Sequence, residues 1–244
     1  MRFVDSHLHL TKEDLPVLMP QSGANQTLLV TCGVDEKTSW EALELAEMYP
    51  GQIMAFVGVH PSEAAKAGET GWLQTALPAA AGLGEVGLDP TYSEAGPGGD
   101  QMRVFSAELD LAERLGKPVQ VHSREAESAA LDVLDGFTLP RVMMHWLESE
   151  EALPRALGEG YFVSFGPALL YSKRLQRMAV KSTPSQVLTE TDSPVPFRPL
   201  GARGPSLVPS VVFRLAELWG MKFDEAREVL LANALRFLGP PEKG

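Results

Sequence analysis

Eight short apolar, β-branched runs punctuate the chain, at residues 3–9, 27–34, 53–60, 82–89, 118–122, 141–146, 161–165 and 186–191. Segments with helical spacing fall between them, clearest over 36–48, 101–115, 124–134, 148–157 and 168–179. Two more helices are predicted over 207–219 and 223–237, after a loop rich in Pro and Gly at 193–205. Alternation of this kind builds a parallel sheet, because each parallel partner needs a long crossover, usually a helix. Eight strands is the number at which such a sheet closes on itself. The expected class is therefore α/β, a TIM-like (β/α)8 barrel, with a doubly wound open sheet as the competing architecture. At 244 residues the chain fits one such domain, 1–244, and it contains no short repeat, low-complexity tract or linker that would divide it. Gly96 to Gly99 is expected to form a flexible loop after the fourth strand.

Composition narrows the setting. Apolar residues make up 44% and charged residues 22%, enough for a large core and inconsistent with disordered or fibrous classes. The single cysteine, Cys32, lies in the apolar run Leu28-Leu29-Val30-Thr31-Cys32, and is expected to be a small buried hydrophobe. A reducing cytoplasm fits. No stretch of about 18 apolar residues suggests a membrane span, and the N-terminus lacks the pattern of a signal peptide. The net charge of −11 argues against broad attachment to duplex DNA, which relies on a basic surface. It leaves room for a nucleic-acid substrate in a small cleft, where a few arginines can meet one phosphate.

All five histidines, at 7, 9, 60, 122 and 145, sit at or beside the end of a predicted strand. A parallel barrel keeps its active site at the C-terminal ends of its strands, and a metal site is expected there. An isolated histidine beside a strand is usually a hydrogen-bonded core or rim residue; five in the same kind of place are harder to explain that way. Side chains alternate along a strand, so Asp5-Ser6-His7-Leu8-His9 puts both histidines on one face, within reach of one ion. Glu85 is placed to bridge two cations, and His122 and His145 to complete a second site. Asp192, closing the eighth strand, can bind one metal and accept a proton from an attacking water. A metal lowers the pKa of its bound water to about 7, from 15.7 in bulk, which makes hydrolysis the natural chemistry.

Taken in order, these segments resemble the signature blocks of a known family. Asp5-Ser6-His7-Leu8-His9, Gly58-Val59-His60-Pro61, Gly84-Glu85-Val86-Gly87-Leu88-Asp89, Val121-His122-Ser123-Arg124, His145 and Glu190-Thr191-Asp192-Ser193-Pro194 are similar to those of the TatD-type metal-dependent hydrolases, within the wider amidohydrolase-like barrels. Asn233-Ala234-Leu235-Arg236-Phe237 resembles that family's C-terminal helix. The resemblance implies a one- to three-metal centre and phosphodiester hydrolysis. It implies one ion held by His7, His9, Glu85 and Asp192, and another by Glu85, His122 and His145. His60 matches a histidine that contacts phosphate or supports a ligand. Arg124 is the expected phosphate clamp, since a guanidinium can engage two phosphate oxygens in parallel. Glu190 shares a strand face with Asp192 and can order a histidine or a water. Three segments depart from the pattern: Pro90-Thr91-Tyr92, Trp146-Leu147-Glu148 after His145, and Gly201-Ala202-Arg203-Gly204-Pro205, which lacks an asparagine before the proline. They weaken any transfer of substrate preference.

The expected function is that of a divalent-metal-dependent phosphodiesterase, a deoxyribonuclease with exonuclease-like action, in which Asp192 and Glu85 do the catalytic work and Arg124 and His60 bind substrate. Two ions are expected, with Zn, Mg, Mn and Ni not distinguished. The expected partner is DNA or a small phosphodiester, with no membrane and a monomeric chain assumed. Hydrolysis of a carbonyl substrate, such as an amide, lactone or aminoacyl ester, is the alternative, because fold does not fix substrate. Glu85 stands where related barrels often use a carbamylated lysine, which tilts toward phosphodiesters. A non-catalytic metal-binding protein is the third possibility.

Overall fold

The computed structural model describes residues 2–66, 70–92, 99–195 and 204–239. Eight parallel strands form one sheet in chain order: β1 (Phe3–Leu8), β2 (Thr27–Cys32), β3 (Ile53–Val57), β4 (Gly82–Gly87), β5 (Val119–His122), β6 (Val142–Met144), β7 (Phe162–Phe165) and β8 (Val187–Thr189). The sheet curls round until its last strand meets its first. Thr189 donates through Oγ1 to the Val4 carbonyl at 2.8 Å, and the Asp192 amide donates to the His7 carbonyl at 3.0 Å. The helices between strands are α1 (Leu15–Asn25), α2 (Glu36–Met48), α3 (Leu73–Ala79), α4 (Asp100–Leu115), α5 (Glu127–Leu134), α6 (Leu153–Gly158) and α7 (Lys173–Lys181), followed by α8 (Val208–Trp219) and α9 (Phe223–Leu238). This is the TIM-like barrel that the alternation predicts.

Where local chemistry fixes an element, its expected and observed bounds agree. Helix α2 starts where Asp35 accepts from the Thr38 amide and Thr38 Oγ1 accepts from the Asp35 amide, a reciprocal cap. The expected helix over 124–134 begins only at Glu127, because Glu125 takes a left-handed backbone (φ 55°) and Ala126 turns back onto the Ser123 carbonyl. The one expected over 168–179 is broken: Pro167–Leu170 forms a short 3-10 turn, and α7 starts afresh at Ser172, whose hydroxyl accepts from the Leu175 amide. That expected over 148–157 shortens to α6. Helices α1 and α3 carry Pro20 and Pro78 inside them, which hid them from a propensity reading. The expected loop at 96–98 and most of that at 193–205 lie outside the described residues.

Alternation along the strands sorts side chains into two layers. Leu28, Val30 and Phe56 point inward with Met143 and Leu188, and Phe237 of α9 packs on Phe56 at 5.9 Å between ring centroids, filling one end of the barrel. Leu29, Ile53, Val119 and Val121 face the helices. The period slips in two strands: register shifts occur in β1 between Asp5 and Leu8, and in β4 between Leu83 and Val86. Counted strictly from inward Val4, His7 would face the helices; the β1 irregularity turns it inward, and the β4 irregularity does the same for Glu85. Gly87, at φ 141°, closes β4 where a Cβ would lie 2.0 Å from the His122 carbonyl oxygen, so β4 and β5 can approach here only through glycine. No helix among the described residues is long and apolar enough to cross a membrane.

Candidate metal centre

The C-terminal ends of the strands open into a cavity of about 870 Å3, with His9, His60, Glu85, His122, His145 and Asp192 on its walls and His7 fully buried beneath. All six candidate ligands therefore converge, together with His60. Glu85 sits at their centre and divides its two oxygens. Oε2 lies 3.2 Å from His9 Nε2 and 3.6 Å from His7 Nε2; Oε1 lies 2.7 Å from His122 Nδ1, 3.6 Å from His145 Nε2 and 3.9 Å from His60 Nε2. Asp192 Oδ1 completes the first side, 3.6 and 3.5 Å from the same nitrogens of His7 and His9. Asp192 holds a left-handed backbone, φ 52°, which aspartate tolerates better than most residues.

Three compact donor groups result: His7, His9 and Asp192; His7, Glu85 and His145; and His60, Glu85 and His122. The last two differ from the expected pairing of His122 with His145, whose rings stand 6.2 Å apart. His145 instead stacks on His7 at 3.6 Å, and His122 meets His60 edge-on at 4.6 Å.

Each inner histidine is held from behind, which determines which nitrogen it presents. His7 Nδ1 lies 2.7 Å from Gln120 Oε1, His9 Nδ1 is 2.9 Å from the Cys32 carbonyl, and His145 Nδ1 is 2.7 Å from Glu190 Oε2. Ser164 donates to that same glutamate oxygen at 2.7 Å. With Nδ1 donating backward, Nε2 is in all three rings the nitrogen turned toward the Glu85 and Asp192 carboxylates. His7 Nε2 is buried and has no hydrogen-bond partner among the described residues. A metal ion would satisfy that atom, and the donor set of imidazole nitrogens and carboxylate oxygens suits Zn, Mn, Fe or Ni. His60 is arranged the opposite way: the Ser62 amide donates to its Nδ1 at 3.1 Å, so the neutral ring carries its proton on Nε2 and offers a donor to the cavity.

Charge and burial pull these groups apart. Burial, aided by stacked His145, lowers His7 to about 3, and burial lowers His60 to about 4. Burial opposes protonation of His9, but Asp192 and Glu85 outweigh it and raise the ring well above its ordinary value. Asp89, 2.9 Å from Nε2, and Glu85 likewise raise His122 to about 9 against burial. The surrounding histidines, His7 first, hold Glu85 well below the usual carboxylate range in spite of burial. The carboxylates thus favour protons on His9, His122 and His145, in the places where they could favour cations.

Several supporting residues carried no sequence signal of their own. Gln120 and Asp89 sit inside strand blocks whose other members drew attention. Asp5 accepts from the Thr191 amide at 2.8 Å and from its hydroxyl at 2.6 Å, tying β1 to the end of β8 so that His7, His9 and Asp192 can meet. Burial raises it to about 8. Period two could have flagged Gln120, which shares the face of His122. Arg124 is exposed on the cavity wall and forms no ion pair among the described residues, whereas Arg174 on the same wall is tied to Glu148 at 2.8 Å. The indole N–H of Trp146 donates to Glu148 at 3.3 Å, and Tyr92 stands edge-on to His60 at 5.6 Å.

Comparison with known families decides the relationship. The family described as TatD related DNase matches residues 4–239. The chain belongs to the TatD family. Among TatD relatives, it is 30% identical to the Bacillus subtilis metal-dependent hydrolase YabD, over 95% of this chain and 97% of that one. It is 28% identical to human Deoxyribonuclease TATDN3, covering 96% and 93%. It is 30% identical to the 3′-5′ ssDNA/RNA exonuclease TatD of Erwinia tasmaniensis, covering 85% of each. The crystal structure of the TatD homologue YJJV from Escherichia coli superposes with a TM-score of 0.86 at 25% identity, over 98% of this chain and 99% of that one. The TatD relationship thus spans residues 4–239, every candidate metal ligand included, and carries divalent metal use with it.

Proposed function

We propose that the protein is a two-metal phosphodiesterase that hydrolyses single-stranded DNA from an end, in the cytoplasm, as a single 244-residue domain. The observation that carries it is the division of Glu85, one oxygen toward His7 and His9 and the other toward His122 and His145, the arrangement a bridging carboxylate needs. Relatives named as deoxyribonucleases and as 3′-5′ ssDNA/RNA exonucleases support the substrate class. His7, His9, Glu85 and Asp192 would hold one ion, and Glu85 with His122 and His145 the other: the two rings stand apart, but His122 Nδ1 and His145 Nε2 both face Glu85 Oε1, at 2.7 and 3.6 Å. When bound, such ions polarise a phosphoryl oxygen and supply a water that ionises near neutral pH.

The chain's own residues then do the remaining work. Asp192, kept ionised by His9 and His145 against the effect of burial, accepts the proton that water gives up. Arg124, exposed at the wall and without an ion pair among the described residues, takes two non-bridging phosphate oxygens in a fork. His60 donates from Nε2 to a third oxygen, since Ser62 commits Nδ1 as acceptor. Trp146, held by Glu148, and Tyr92 offer aromatic surface at the rim for the adjoining bases. Turnover of labelled single-stranded DNA beside a panel of carboxyl esters and lactones tests the substrate class: nucleotide release with inert esters is expected, and the reverse would move the protein to carbonyl chemistry.

A further inference from the structure

Gln120 is fully buried at the middle of β5 and touches three groups at once. Its Nε2 donates to the Ser6 carbonyl at 2.9 Å; its Oε1 accepts from Cys32 Sγ at 3.2 Å and faces His7 Nδ1 at 2.7 Å. An amide can be turned over, exchanging its oxygen and nitrogen. Here the turned form would set Oε1 against the Ser6 carbonyl oxygen, two acceptors at hydrogen-bond distance, and would aim an N–H at His7. The Ser6 carbonyl, a backbone group of the strand that carries His7, therefore fixes which end of the amide His7 meets.

We infer that Gln120 is a positioning residue that selects the Nδ1–H tautomer of His7 and so presents the Nε2 lone pair to the metal centre. The selection passes from the Ser6 backbone through the side chain of Gln120 to the ring of His7. Cys32 reinforces it: its thiol donates to that oxygen at 3.2 Å, its sulfur also lies 3.5 Å from His7 Nδ1, where an N–H can point at it, and its own carbonyl receives His9 Nδ1. An uncharged amide is suited to this position: it fixes the proton without adding a further buried negative charge beside Glu85 and Asp192. Outer partners of this kind typically change metal affinity about 10- to 100-fold when removed.

The inference rests on the metal-centre reading, not on the substrate, and is tested without turnover. In metal-free wild-type protein, nitrogen NMR of the imidazoles should show His7 as a single neutral tautomer protonated at Nδ1. Titration with Zn2+ against a competing chelator should then give Gln120→Met an affinity about 10- to 100-fold below wild type. Gln176→Met is the control: Gln176 is another buried amide, bonded to the Leu169 carbonyl and outside the site, and its loss should leave zinc affinity unchanged even if both variants melt lower. A wild-type His7 protonated at Nε2 overturns the inference whether or not any variant folds. So does a folded Gln120→Met protein that binds zinc as wild type does. Failure of the wild-type protein to bind any divalent ion would count against the proposed function instead, with the tautomer measurement still deciding the role of Gln120.

Discussion

Asp89 Oδ2 lies 2.9 Å from Nε2 of His122, while the other nitrogen of that ring faces Glu85. Between two carboxylates His122 is held protonated up to about pH 9, and a metal can bind it only by displacing that proton. Metal uptake at pH 7 should therefore release protons. Calorimetric titration in buffers of different ionisation heat should show it, with a smaller release for Asp89→Asn. Identical heats in every buffer would contradict it.

The same contact gives the metal-free protein a pH signature. A histidine raised from 6.5 to about 9 by folding contributes stability that is complete below about pH 6.5 and disappears as pH climbs through 9. Melting temperatures of the metal-free protein should fall between those values, and Asp89→Asn should flatten the fall. An equal slope in both proteins would show that His122 is not the group responsible.

Arg124 is expected to act on substrate and not on the fold, since it is exposed and forms no ion pair among the described residues. A hydrogen bond to a charged group contributes about 1.5–3 kcal/mol, so Arg124→Ala should lower kcat/KM about 10- to 100-fold with an unchanged melting curve. Arg124→Lys should recover only part, because an ammonium cannot fork. Full activity in Arg124→Ala would remove it from the site.

Much of this architecture was legible from the chain. Eight apolar runs, with histidines at the ends of four, announced both the barrel and the place of its centre. The period of two failed locally in β1 and β4, where the register shifts turn His7 and Glu85 inward; no propensity marks such a slip. The grouping of His145 with His7 was hidden for a related reason, since strand order says which side chains share a rim but not which rings stack across it. Gln120 and Asp89 stayed unread because a polar residue in a strand block gains meaning only when its partner is known, and their partners lie 113 and 33 residues away.

Gly87 links the fold to the site. At φ 141° it has no room for a Cβ, which would collide with the His122 backbone. Gly87→Ala should cost at least about 1–3 kcal/mol of stability and displace β5 with its histidine. Denaturant unfolding and zinc affinity measured together would check this, and a variant matching wild type in both would show that the close approach is not needed.

The most direct measurement is release of nucleotides from 5′- and 3′-labelled single-stranded DNA by the metal-stripped protein, before and after adding back Mg2+, Mn2+ or Zn2+, with Asp192→Asn alongside. A two-metal centre using Asp192 as proton acceptor predicts no cleavage without metal, stepwise recovery with it, and a loss of about 10²-fold or more in the variant. Cleavage that persists after complete metal removal, or that Asp192→Asn retains in full, would contradict it.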